Sequence, residues 1–421
     1  MEKFLINGGI PLKGKVKISG AKNSALALIP ANLLNEGTNI LSNVPEVNDT
    51  YTMIKLMNEL GAKSEYENEI LKMDTSDLVS QVAPYEHVKK MRASVYVLGP
   101  LLSKYGYAKV SLPGGCAWGP RPINLHLEAM KKLGAEITLE DGYIIAKKDR
   151  LNGAKINFDV SSVGATGNTL MAATLAKGTT HIRNAAIEPE ITQLAEYLIS
   201  MGARIEGIGT SELTIEGVDE LHAAETEIIG DRIEAGTMLV ACALTKGNIE
   251  LEYNDLEYIE AVISKLEDSG AKIIKNNGVL NFDASDLEPE SVDVTTGVYP
   301  GYPTDMQAQW VIYMALAKGT ATVTDTIYID RFKHVPELIR LGANIELVNN
   351  SAVIRGVKEL KGAKVMSTDL RASASLVLAG LAAKGTTEVL RIYHIDRGYK
   401  RIDEKLRNLG ANIKRVKTEE F

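Results

Sequence analysis

Leu133-Gly134-Ala135 closes a helix-like segment, and its equivalent returns as Leu60-Gly61-Ala62, Met201-Gly202-Ala203, Ser269-Gly270-Ala271, Leu341-Gly342-Ala343 and Leu409-Gly410-Ala411. The glycines stand 73, 68, 68, 72 and 68 residues apart, a regularity that marks an internally repeated fold. Upstream of each pair another glycine ends an apolar stretch, at Gly37, Gly106, Gly178, Gly247, Gly319 and Gly385. The gap between the two glycines is always 23 to 28 residues. Each glycine fits a helix C-terminus, where the chain needs a left-handed residue. Alternating segments such as Thr179-Thr180-His181-Ile182 and Thr320-Ala321-Thr322-Val323 follow the first glycine and read as strands.

Each repeat therefore holds an apolar helix, a strand, a more polar helix ending in the Gly-Ala pair, and further strand. The apolar helices include Ala25-Leu26-Ala27-Leu28-Ile29, Thr237-Met238-Leu239-Val240-Ala241 and Ala374-Ser375-Leu376-Val377-Leu378. They are apolar nearly all round, which places them inside a domain rather than on a sheet surface. Six large repeats with buried helices fit two globular triplets better than a solenoid.

The bulk properties agree with that size. A chain of 421 residues can bury the cores of two or three domains. Its net charge of −7 argues against a nucleic-acid surface or an anionic membrane as partner. Two cysteines, Cys116 and Cys242, give neither a disulfide framework nor a zinc-like cluster. The start, Met1 to Gly9, lacks the apolar core of a signal peptide, and no apolar run reaches the ~18 residues of a membrane span. The expected location is the cytoplasm.

Fourteen residues before the upstream glycines lie Asn23, Arg92, Gly164, Ile233, Asp305 and Arg371, at the entries of the six buried helices. Polar residues gather there: Lys22, Ser162, Thr166, Asp231, Arg232, Thr304 and Asp369. Free backbone N–H groups and the positive end of the helix dipole make such entries anion sites. Thr304 with Gln307, and Asp231 with Glu234, fit ordinary helix capping equally well. Capping does not call for arginine, so Arg92 and Arg371 favour a ligand.

The segment from Leu112 to Pro122 holds three glycines, three prolines, Cys116 and Arg121, and cannot form a regular helix or central strand. A cysteine in such a loop beside an arginine has the setting of a reactive thiol, although the segment alone equally accommodates a bystander. Cys242, within Leu239-Val240-Ala241-Cys242-Ala243-Leu244, reads as core packing. No serine elbow, Walker loop or zinc-protease motif is present. His126, His334 and His394 are scattered and read as hydrogen-bonded structural residues.

These residues resemble the enolpyruvyl transferases, and among them the UDP-N-acetylglucosamine 1-carboxyvinyltransferase family of peptidoglycan precursor synthesis. The resemblance covers essentially the whole chain. It is carried by Gly20-Ala21-Lys22-Asn23, Met91-Arg92-Ala93-Ser94, Pro113-Gly114-Gly115-Cys116, Arg121-Pro122, Ser162-Val163-Gly164-Ala165-Thr166 and Asp231-Arg232-Ile233-Glu234. It continues through Pro303-Thr304-Asp305-Met306-Gln307, Arg331-Phe332, His334-Val335-Pro336, Asp369-Leu370-Arg371 and Arg391 to Tyr399. The resemblance implies a two-domain inside-out α/β barrel with six βαβαββ-type repeats, three per domain. Residues 22–229 are expected to form the first, carrying the Cys116 loop, and residues 1–21 with 230–421 the second. Ligands are expected between the domains, which close on binding.

The roles it implies are chemically coherent. Lys22, Arg121 and Arg397 would hold the phosphate of phosphoenolpyruvate, with Asn23 nearby, and Arg331 and Arg371 its carboxylate. Cys116 would act as general acid toward the methylene carbon, and Asp305 as base toward the sugar 3′-hydroxyl. UDP-N-acetylglucosamine would contact Asn23, Arg92, Arg121, Pro122, Ile123, Asn124, Leu125, Ser162, Val163, Gly164, Asp305 and Ile327. Catalysis would rest on Cys116, Asp305, Lys22 and Arg397, without metal or organic cofactor. The resemblance further implies that the epoxide fosfomycin alkylates Cys116. Asn124 stands where the family commonly has aspartate, Val160 where some members have lysine, and Gly167 and Ile329 replace residues that are often acidic. Two alternatives are a 5-enolpyruvylshikimate-3-phosphate synthase-like transferase and a non-catalytic paralogue that binds nucleotide sugar.

Overall fold

The computed structural model describes residues 1–89, 91–112 and 123–420. The third repeat shows how each is built. A short strand, Lys155–Asn157, leads into the helix Val163–Ala173, and the chain returns in Thr179–Arg183 parallel to the first strand. A second helix, Pro189–Ser200, precedes the hairpin Arg204–Glu206 and Glu212–Glu216, whose second arm pairs antiparallel with Thr179–Arg183. Thr180 and Ile182 point inward while their neighbours face water, the alternation of a half-buried sheet. The helix Val163–Ala173 is instead buried at every position from Ala165 on, as its apolar circumference requires. Among the described residues, all six sheets have four strands in this order. Helices inside and sheets outside match the burial that the repeat predicts and the inside-out arrangement that the resemblance implies.

The chain divides into two compact units, Gly20–Ile229 and Met1–Ser19 with Gly230–Phe421. Each has its own core. In the second, the helices Arg232–Leu244, Gln307–Met314 and Leu370–Ala382 pack on one another. In the first, Leu98–Tyr105 packs on Val163–Ala173, and Lys22–Ala31 packs on Pro189–Ser200 and the turn Arg92–Val97. Asn168 ties the first pair together, donating to Val95 O and accepting from Gly99 N at 2.6 Å. No helix among the described residues is long and apolar enough to cross a membrane.

The units exchange edge strands where the chain passes from one to the other. By repeat logic Lys13–Lys17 should pair with Thr38–Ser42; it pairs instead with Asn248–Glu252, and Glu225–Glu227 takes the place beside Thr38–Ser42. Glu2–Asn7 likewise fills the sixth sheet, between Thr386–Leu390 and Asn412–Lys417. A buried clamp fixes the exchanged segment: Ser19 N donates to Glu234 Oε2, and Lys405 Nζ donates to Glu234 Oε1, Ser19 Oγ and Lys17 O. Removing one partner of so buried a pair costs about 3–5 kcal/mol.

Eleven of the twelve repeat glycines have positive φ, but Gly37, Gly178, Gly319 and Gly385 are not the helix ends expected: each lies past its helix, in the turn directly before a strand. Gly247 is the exception among the twelve. Lys246 adopts the left-handed conformation in its place. A Cβ on Gly247 would lie 2.6 Å from Leu12 O, so glycine there admits the incoming N-terminal segment.

Candidate active site

In the unit containing residues 230–421, two helix starts are capped alike and a third is fixed by other means. Asp231 caps its helix by accepting from the backbone N–H groups of Ile233 and Glu234 at 2.8 and 3.1 Å. Asp369 does the same for Arg371 and Ala372. Capping is thus correct for Asp231, yet Glu234 turns away to the Lys405 clamp. It is incorrect for Thr304, which caps nothing. The Thr304 hydroxyl donates to Asp325 Oδ2 at 2.7 Å and accepts from Arg331 Nη1 at 3.0 Å.

Asp305 beside it joins two arginines. Its Oδ1 meets Arg331 Nη2 at 2.8 Å and its Oδ2 meets Arg371 Nη2 at 2.7 Å. Both arginines are buried, at 7% and 3% exposure, and each guanidinium stands over a tyrosine ring, Tyr328 and Tyr399 respectively. Nε and Nη1 of Arg371 are buried with no hydrogen-bond partner among the described residues. Burial opposes the Arg371 charge, yet Asp305 above all, with Tyr399 and Asp231, holds its pKa above the ordinary value. Asp231, Asp305 and Arg371, from three helix starts, therefore act on one place.

Asp325, which sequence reasoning missed, organises the surroundings. Fully buried, it accepts on Oδ1 from Thr296 Oγ1 and from the N–H groups of Ile327 and Tyr328. It thereby fixes the segment carrying Ile327. Its only sequence signal is an aspartate closing the strand Thr320–Thr324, the position of a side chain that folds back on the next turn. Arg397 ends the turn Ile392–Arg397. It acts on His394, whose pKa is lowered by burial, then by Arg397 and Arg391, against Asp369. His334 is pulled down to about 3 by burial and the charge of Arg331. Neither ring is the hydrogen-bonded residue expected: His334 Nε2 and His394 Nδ1 lack partners among the described residues.

The other unit holds the remaining candidates. Lys22 opens its helix with Nζ 3.5 Å from Asp49 Oδ2, and Asn23 follows, partly buried. Asp49 is a second residue that sequence reasoning missed. Arg92 lies near His126, which burial and that charge pull down to about 3. His126 Nδ1 lies 3.1 Å from Asn168 Nδ2, and its Nε2 faces Gly164, so the reading of His126 as structural is correct. Arg92, His126 and the Ser162-Val163-Gly164 entry are consequently neighbours. Ser162 caps its helix through Ala165 N. Ile123 precedes the helix Asn124–Lys132, where Asn124 is exposed and Leu125 partly buried. Cys116, Arg121 and Pro122 lie outside the described residues.

Of the departures, Val160 and Ile329 are exposed. Gly167 has a steric cause: a Cβ there would lie 2.8 Å from Tyr96 Cε1. Cys242 is fully buried and its thiol is pushed up to about 12 by burial. It is core, as read.

Buried central helices, four-stranded outer sheets and two buried arginines gathered on the carboxylate of Asp305 define an enolpyruvyl transferase. The family model for EPSP synthase (3-phosphoshikimate 1-carboxyvinyltransferase) matches residues 6–406. Enolpyruvyl transferase NikO from Streptomyces tendae superposes with a TM-score of 0.90 at 24% identity, over 99% of each chain. EPSP synthase from Acinetobacter baumannii gives 0.76 at 17% identity, over 99% of this chain and all of that one. Among sequence relatives, UDP-N-acetylglucosamine 1-carboxyvinyltransferase of Chloroherpeton thalassium is 56% identical over all of this chain and 99% of its own length. The enzyme of that name from Prosthecochloris aestuarii is 55% identical over the full length of both. The chain belongs to the UDP-N-acetylglucosamine 1-carboxyvinyltransferase family of enzymes.

Proposed function

We propose that this enzyme transfers the enolpyruvyl group of phosphoenolpyruvate to the 3′-hydroxyl of UDP-N-acetylglucosamine, releasing phosphate. The observation that carries this reading is the buried Arg331 and Arg371 pair, two planar donors suited to a carboxylate, on either side of the Asp305 carboxylate. The product would enter peptidoglycan precursor synthesis in the cytoplasm.

In this reading Lys22, Arg121 and Arg397 hold the donor phosphate and Arg331 and Arg371 its carboxylate. Asn23, Arg92, Ile123 to Leu125, Ser162 to Gly164 and Ile327 hold the nucleotide sugar. Cys116 gives a proton to the methylene carbon, which becomes a methyl group and leaves cationic character on the adjacent carbon. The sugar 3′-oxygen attacks that carbon as Asp305 takes its proton. The tetrahedral intermediate then loses phosphate and one methyl proton, giving the enol ether.

Turnover in deuterium oxide tests the sequence of steps. Deuterium is expected in the methylene of the product, because the carbon passes through a methyl group. A product free of deuterium would exclude addition followed by elimination.

A further inference from the structure

Asp305 does more here than wait beside a substrate site. Each of its oxygens is held by a different arginine, both through Nη2. A guanidinium offers two paired-donor edges, Nη1 with Nη2 and Nε with Nη2, and Nη2 belongs to both. At Arg371 the other half of each edge, Nη1 and Nε, is buried and has no partner among the described residues. At Arg331 the other half of the end-on edge, Nη1, is already given to Thr304. A ligand carboxylate that binds either arginine bidentately must therefore share the Nη2 that Asp305 holds, which sets two carboxylates on one nitrogen, where their like charges repel.

We propose that Asp305 is a built-in stand-in for the donor carboxylate, and that the base is set free only when a ligand carboxylate replaces it on Arg331 and Arg371. This rests on the reading of those arginines as donor-carboxylate ligands. The movable partner is Asp305. It sits on the short turn Thr304–Met306 with its side chain 24% exposed, whereas the arginines are nearly sealed. Arg331 keeps its position after the exchange through Thr304, which is itself anchored on buried Asp325.

Two consequences follow from charge. While both oxygens accept from guanidinium groups, the carboxylate is a poor proton acceptor, because nearby positive charge favours its ionised form. Release restores its basicity at the step that needs it. A ligand without a carboxylate, even one bound by its phosphate, leaves the base engaged. The exchange thus makes the donor carboxylate a requirement of the chemistry as well as of binding, and Asp305 a specificity-determining residue.

Calorimetric titration of wild type, Asp305→Asn and Asp305→Ala with phosphoenolpyruvate, and separately with inorganic phosphate, tests the exchange. Removing the competing carboxylate should tighten phosphoenolpyruvate binding roughly tenfold in either variant, while inorganic phosphate tightens by only about twofold through the change in net charge. Unchanged or weaker phosphoenolpyruvate binding would overturn the proposal, and so would equal tightening for both ligands. A wild-type structure with phosphoenolpyruvate gives a second reading that no variant can confuse. Asp305 should be gone from both Nη2 atoms; Asp305 still bonded to them would reject the exchange. Failure of the transferase reading is separate, since it would appear as wild type lacking turnover with its two substrates.

Discussion

Thr304 gives its hydroxyl proton to the buried carboxylate of Asp325 at 2.7 Å, and the same oxygen receives Nη1–H of Arg331 at 3.0 Å. One hydroxyl thus links the strand-end aspartate to an arginine of the proposed donor site. Thr304→Val keeps the shape and deletes the link. The expected result is a KM for phosphoenolpyruvate raised roughly tenfold with kcat little changed, and a stability loss of about 1–3 kcal/mol from the unpaired buried groups. Steady-state kinetics and urea unfolding measure both; an unaltered KM would detach Thr304 from donor binding.

The two thiols should behave oppositely. Cys116→Ala should lose turnover by about 10²–10⁴-fold, the usual contribution of a general acid. Cys242→Ala should keep it, because that thiol is fully buried and pushed up to about 12. Peptide mapping after fosfomycin treatment should place the adduct on Cys116 alone. An adduct on Cys242, or comparable losses in both variants, would contradict the assignment.

Gly167 tolerates no side chain without movement of Tyr96. Gly167→Ala places a methyl 2.8 Å from Tyr96 Cε1 and close to Ile191 and Leu194. The strain should cost about 1–3 kcal/mol, read from denaturant unfolding. An unchanged midpoint would mean that the Tyr96 ring yields freely.

His126 should make the fold sensitive to acid. Its ring titrates near 6.5 when unfolded and at about 3 when folded, because burial and then Arg92 disfavour the charged form. Between those values the unfolded chain binds a proton that the folded one refuses. The stability contributed by the neutral ring is complete above about pH 6.5 and is lost as pH falls toward 3, at a limiting ~1.4 kcal/mol per pH unit. His126→Gln removes this proton, so its Tm should fall less than that of wild type between pH 7 and pH 5. Equal falls would exclude His126 as a source of the acid sensitivity.

The repeat was legible because its punctuation is local: a position that requires positive φ, at a helix end or in the turn before a strand, selects glycine, and eleven of the twelve glycines meet that requirement. The exchange of Lys13–Lys17 for Glu225–Glu227 left no such mark, since both are short edge strands whose partners are set by tertiary pairing. Gly247 was misread for the same reason, its role being to admit Leu12. At the site, arginines at helix starts stood out because capping does not use them. Asp325 and Asp49 did not, because a buried carboxylate that accepts hydrogen bonds looks in sequence like any turn or helix-start aspartate. Thr304 deceived in the other direction, having a capping residue's identity and place while its hydroxyl serves Asp325.

Phosphate release in the presence of phosphoenolpyruvate, with UDP-N-acetylglucosamine and shikimate 3-phosphate offered separately, tests the central claim most directly. Release should require UDP-N-acetylglucosamine and yield its 3′-enolpyruvyl ether. Release with shikimate 3-phosphate alone, or with neither acceptor, would contradict it.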